Sequence, residues 1–150
     1  DAALESGNDV WALADDSGLV VEYLDGAPGV RSARFAGTQG EGRDLANNAL
    51  LLEKLEGIPP EGRGASFWCV LALARPGEVL LAVEGSVDGR ILDAPRGEGG
   101  FGYDPLFFHE PSDRTFAELE PEEKAVLSHR SMAMTRLKTA LEALVPPETA

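Results

Sequence analysis

Two apolar runs separated by a four-residue turn constrain this chain more than any other feature. Ser66 to Ala74 and Val79 to Val87 are rich in aliphatic and aromatic residues, and Arg75-Pro76-Gly77-Glu78 between them carries the Pro-Gly of a turn. The pattern predicts a hairpin, and a hairpin alone is marginal in water, so other elements must pack against it. Arg43 to Leu55 has helical spacing, with Leu45, Ala49, Leu52 and Leu55 on one face and Gly57 and Pro59 as stop signals. Ser128 reads as the N-cap of a final helix with the apolar stripe Ala133, Leu137, Leu141 and Leu144. Thr115 with Glu118 has the capping-box pattern of a further short helix. Val10–Ala14, Leu19–Leu24 and Leu106–Phe108 are short strand candidates, and Gly26–Gly29 and Gly97–Gly102 are loops. This alternation predicts an α/β fold with both local hairpins and longer crossovers.

Composition limits the partners. The 150 residues form one domain, 1–150, with an ordinary 43% apolar content and a net charge of −13. Nucleic acid and anionic membranes need a basic footprint, so that charge argues against both. A small anionic substrate stays compatible with it, because a metal ion and a few local cations outweigh the global field. No apolar stretch is long enough to span a bilayer and no signal peptide heads the chain. The single cysteine, Cys69, fits a reducing cytoplasm and reads as core, as do Trp11 and Trp68. Residues 1–8 read as the last turn of a helix with a glycine stop, so a segment upstream of Asp1 is expected.

Three strings carry chemistry. Ala14-Asp15-Asp16-Ser17-Gly18 puts two carboxylates at what reads as a strand end, where successive side chains point to opposite faces. They fit turn-forming aspartates, or one hard-oxygen ligand for Mg²⁺ beside the substrate's phosphates. Gly99-Gly100-Phe101-Gly102-Tyr103-Asp104-Pro105 fits a glycine loop ahead of buried aromatics. It also fits a platform on which a planar base stacks, the flanking glycines leaving room; such stacking is worth roughly 1–3 kcal/mol. In Ser128-His129-Arg130 the arginine stands in a helix's first turn, where a cation costs roughly 0.3–1 kcal/mol. That favours a functional reason for it, although His129 also fits a solvated position and Lys124 a surface one. His109 has no partner in view, and no Gly-x-Ser-x-Gly or Cys–His arrangement points to covalent catalysis.

These strings, in this order, resemble the inosine triphosphate pyrophosphatases, which hydrolyse non-standard purine nucleoside triphosphates. The resemblance also covers Gly26-Ala27-Pro28-Gly29-Val30, Ser32-Ala33-Arg34-Phe35, Asn47-Asn48 with Leu51-Leu52, Glu118-Leu119 and Glu123-Lys124. It implies a two-lobed α/β fold with a long curved mixed β-sheet flanked by helices, a nucleotide cleft between the lobes, and a homodimer. It further implies Mg²⁺-dependent hydrolysis of ITP, dITP and XTP to the monophosphate and pyrophosphate, with no nucleic-acid or membrane partner. Carried over by position, Asp16 is the metal-linked general base and Ser17 touches substrate. Phe101 stacks on the purine, with Gly102, Tyr103 and Asp104 completing that wall, and Lys124, His129 and Arg130 meet the base edge. Donor-only arginine and lysine favour a 6-oxo purine over adenine, whose amino group would leave a buried donor unpaired at roughly 1–3 kcal/mol. The family's Thr/Ser-Gly-Asn-x-x-Lys phosphate loop and the metal-associated glutamate after it have no counterpart in this sequence. A nucleotide-binding module without catalysis is therefore the alternative expectation, and a purely structural protein a distant third.

Overall fold

A computed structural model describes residues 10–144; the helix end expected at residues 1–8 lies outside them. Five strands, β1 (Ala12–Val21), β2 (Gly64–Arg75), β3 (Glu78–Ile91), β4 (Phe107–His109) and β5 (Arg114–Thr115), form one sheet in the order β1-β2-β3-β4-β5. Three helices accompany it: α1 (Arg43–Lys54), α2 (Pro121–Leu127) and α3 (His129–Leu144). The α/β class is the one expected, and the β2–β3 hairpin turns where the Pro-Gly stands. Every pairing among the described residues is antiparallel, whereas the family resemblance implies a mixed sheet. Tight turns join β2 to β3 and β4 to β5, and strands joined that way must run in opposite directions.

Strand β2 shows how sequence becomes a layer. Ala65, Phe67, Cys69, Leu71 and Leu73 are buried while Trp68 and Val70 between them are exposed, a strict period of two. Register then puts Leu13, Asp15, Ser17, Leu19 and Val21 of β1 on that same inner face, together with Leu81, Val83, Gly85 and Val87 of β3. Two clusters cover it. One gathers Leu19, Phe67, Ile91, Phe107 and Phe116 with Leu51 and Leu55 from the α1 side; the other seats Ala133 and Leu137 of α3 on Cys69 and Leu71. The arrangement makes both tryptophans surface residues, correcting their reading as core.

Further expectations are corrected. Val10–Ala14 and Leu19–Leu24 are not separate strands: β1 runs unbroken through Asp15-Asp16-Ser17-Gly18, because its ladder to β2 extends from Ala12 to Val21 and overrides the local turn preference. Helix α1 turns a different face inward, with Asn47 and Leu51 buried and Leu45 left 76% exposed. Glu118 does accept a hydrogen bond from the Thr115 backbone N–H, but no helix follows there. The helix begins at Pro121, behind a reciprocal box formed by Glu120 and Glu123. His109 is buried at the end of β4 with Nδ1 2.7 Å from the Ser112 hydroxyl. No helix among the described residues is long and apolar enough to cross a membrane.

Candidate functional site

A cavity opens where β1, the Gly99–Asp104 loop and the start of α3 meet. Its walls include Ser17, Phe101, Gly102, Tyr103, Asp104, Lys124, His129 and Arg130, each of the residues singled out for substrate contact. Residues more than a hundred positions apart in the chain therefore converge, which no local feature of the sequence requires.

The aromatic loop is organised for exposure at its tip. Phe101 is 66% exposed, while Tyr103 and Asp104 behind it are buried. Tyr103 donates its hydroxyl proton to the Ser32 carbonyl at 2.7 Å, and burial followed by the charge of Asp44 pushes its ionisation well upward, so it remains a neutral donor. Asp104 Oδ2 accepts the Phe101 backbone N–H at 3.0 Å and also pairs with the Lys124 ammonium. Lys124 is no surface lysine: its side chain is 19% exposed and its Nζ sits 4.6 Å from the Phe101 ring centroid. One carboxylate thus anchors both the ring and the cation beside it.

Helix α3 supplies the opposite wall. Ser128 caps it, accepting the Ser131 backbone N–H at 3.2 Å, and this delivers His129 and Arg130 to the cavity. The His129 ring stacks on Phe67 at 5.0 Å, and its buried Nδ1 has no hydrogen-bond partner among the described residues. Desolvation, reinforced by Arg130 and Lys124, lowers its pKa to about 4, so the imidazole is neutral at physiological pH. Arg130 pairs with Asp15 through Nε at 3.0 Å and Nη2 at 3.3 Å, with Ser17 Oγ 3.5 Å away. That pair countervails the unfavourable helix-start position of the cation.

The two aspartates part company as strand alternation requires. Asp15 shares the inner face with Ser17 and meets Arg130, while Asp16 stands on the reverse face in a shallow hollow with Trp68 and Val70. Neither ends a strand. The structure does not bring Asp16 into the cavity. Ser17 and Gly18, however, line both the cavity and the hollow, so the two meet at β1, the edge strand of the sheet among the described residues.

Sequence reasoning missed Ser32, Asp44 and Asn47 as members of this wall. Asn47 is buried because its amide spans three backbone groups, donating to the carbonyls of Ser32 and Ala33 and accepting from the Ala36 N–H. The available signal was a pair of asparagines inside a helix, where that residue type is disfavoured without partners.

With this geometry in hand, similarity to known proteins becomes interpretable. Residues 1–140 match the Ham1 family. The chain belongs to that family. A dITP/XTP pyrophosphatase of Geobacillus kaustophilus is 53% identical over 133 residues, covering 89% of this chain and 64% of the relative. One from an Exiguobacterium species is 56% identical over 129 residues, covering 86% and 64%. The chain thus spans somewhat less than two thirds of the length of these relatives. Among solved structures, the Ham1 protein of Staphylococcus aureus superposes with a TM-score of 0.82 at 41% identity, over 91% of this chain and 69% of that one. A HAM1 protein from Coxiella burnetii gives 0.81 at 43% identity, over 89% and 68%. These Ham1 structures share the α/β arrangement that carries the cavity.

Proposed function

We propose that the protein hydrolyses non-standard purine nucleoside triphosphates, the class comprising ITP, dITP and XTP, to the monophosphate and pyrophosphate. The observation that carries this reading is the convergence of an exposed aromatic face, a shielded lysine, a neutral histidine and an oriented arginine on one cavity. The names of the similar proteins point the same way. The purine lies against Phe101, and Lys124 and Arg130 present donors to its 6-oxygen. Adenine offers an amino group there, and like donors facing each other in a desolvated site cost roughly 1–3 kcal/mol. His129, uncharged on the cavity wall, suits a base edge better than a phosphate, which would call for a cation.

The phosphates leave the cavity past Ser17 and Gly18, which line both the cavity and the hollow, and reach Asp16 beyond the edge of β1. Asp16 is exposed and makes no hydrogen bond or ion pair among the described residues, so its carboxylate is available as a base. It accepts the proton of the attacking water as the α–β phosphoanhydride breaks and pyrophosphate departs. No cluster of three or more His, Cys, Asp or Glu side chains capable of holding a metal exists among the described residues. A single hard carboxylate still fits Mg²⁺, which commonly takes one or two carboxylates and completes its shell with phosphate oxygens and water. Asp16 would hold the ion, whose chemistry is to neutralise phosphate charge and polarise the anhydride. Asp15, committed to Arg130, is not a second ligand in this reading.

We further read the protein as a cytoplasmic homodimer. Trp68, Val70 and Val30 form an exposed apolar area on the reverse face of the kind that partners cover, and light scattering on the full-length protein tests it. The decisive experiment for the activity is pyrophosphate release from ITP by the full-length protein and its Asp16→Asn variant, with and without Mg²⁺. Turnover should need the metal and fall about 100-fold or more in the variant while the thermal midpoint is retained. Near-normal turnover by Asp16→Asn would remove Asp16 from this role.

A further inference from the structure

Phe101 projects from a loop of glycines, and an exposed ring on such a loop does not by itself hold one orientation. Asp104, through the Phe101 N–H, and Lys124, over the ring, hold it from one side, and α1 adds a second hold at the next residue. The Gly102 backbone N–H donates to Asp44 Oδ2 at 2.8 Å, and the Gly102 carbonyl accepts from Asn48 Nδ2 at 3.1 Å. Asp44 and Asn48 stand four residues apart, hence one above the other on the same helix face. Gly102 has φ of +59°, with open space where a Cβ would point, so the residue is required by backbone conformation and not by crowding. A two-point hold on both polar groups of one left-handed residue defines the plane of its peptides, and therefore the direction of the neighbouring Phe101.

We propose that Asp44 and Asn48 are positioning residues that clamp Gly102 and so orient the Phe101 ring for the base. The inference rests on reading the cavity as a purine site. It also accounts for the face that α1 turns inward: Asp44, Asn47 and Asn48 follow i, i+3, i+4 spacing and tie both loops beside the cavity to one helix. An apolar stripe could not do that, because loops offer backbone donors and acceptors.

Two readouts test the clamp in the full-length protein. Amide hydrogen exchange by NMR, without nucleotide, should show Gly102 N–H protected in the wild type and in Asp44→Asn, which keeps an acceptor oxygen, but unprotected in Asp44→Ala. In steady-state kinetics, Asp44→Ala and Asn48→Ala should each raise KM for ITP, XTP and ATP together by about tenfold, with kcat within about twofold. Placed on a Phe101→Ala background, neither should cause further loss, since each acts through that ring. Unchanged Gly102 exchange in Asp44→Ala, or additive losses with Phe101→Ala, would overturn the clamp. Asp44→Asn as damaging as Asp44→Ala would overturn it too, by assigning the effect to charge. Should Asp44→Ala fail to fold, Asn48→Ala and Asp44→Asn decide the same question. A wild type inert toward every nucleotide would refute the proposed activity, and the exchange measurement would still judge the clamp.

Discussion

Replacing Gly85 by alanine should damage stability and the cavity together, because this glycine sets how closely α3 approaches the sheet. A Cβ at position 85 would lie 2.3 Å from the His129 carbonyl oxygen, 2.5 Å from the Ala133 nitrogen and 2.8 Å from the Met132 Cβ. Two of those atoms are helix backbone and cannot rotate aside. Restoring an ordinary contact of 3.4 Å to the His129 oxygen requires the first turn of α3 to retreat by about 1.1 Å. That turn packs on Cys69 and Leu71 through Ala133, and overpacking of this kind costs about 1–3 kcal/mol, a fall of roughly 2–12 °C in the thermal midpoint. The same turn carries His129 and Arg130, and a misplacement of about 1 Å can cost about 100-fold in kcat/KM. Thermal unfolding and ITP turnover are measured on the full-length protein beside Leu137→Ala. That control empties the same cluster two turns further on, at about 2–5 kcal/mol, without pushing on the helix start. Leu137→Ala should therefore be the less stable protein and the more active one, assayed where both are folded. A Gly85→Ala protein with wild-type kcat/KM would refute the reasoning.

Three other outcomes follow from named contacts. Arg63 is buried with its guanidinium on the carbonyls of Leu55, Ile58, Ile91 and Leu92 at 2.8–3.2 Å, so Arg63→Met, which strands those acceptors, should cost about 3–5 kcal/mol in chemical denaturation; an unmoved midpoint would exclude the staple. His129 has a folded pKa of about 4 against an ordinary 6.5, so the unfolded chain binds the extra proton first and stability drops as pH falls from about 6.5 to about 4. His129→Phe, which keeps the stack on Phe67, should flatten the thermal midpoint over that window, and an identical pH profile would contradict the burial. Arg130→Ala should compress the preference for ITP over ATP by roughly tenfold to a hundredfold, and an unchanged ratio would move this arginine to the phosphates.

Read alone, the sequence determined the elements whose signals are local. The apolar and aromatic run Ser66–Ala74 and the Pro-Gly after it specify a hairpin, and Ser128 ahead of a periodic stripe specifies where α3 starts. The chemistry of the cavity was also legible, since a phenylalanine between glycines and a cation in a helix's first turn are both unusual for stability alone. Tertiary structure decided what depends on partners distant in the chain. Asp-Asp-Ser-Gly has the chemistry of a turn, yet a ladder with β2 holds it extended, and that ladder places Asp15, not Asp16, beside Arg130. Asn47 is polar and buried because the backbone groups it satisfies arrive from residues 32–36, which no periodicity within α1 can reveal. Whether Trp68 faces core or solvent is likewise set by which layers cover each side of the sheet. Propensity and pattern act over a turn or two, whereas burial, pairing and the direction of a side chain are fixed by surfaces that only the folded chain brings together.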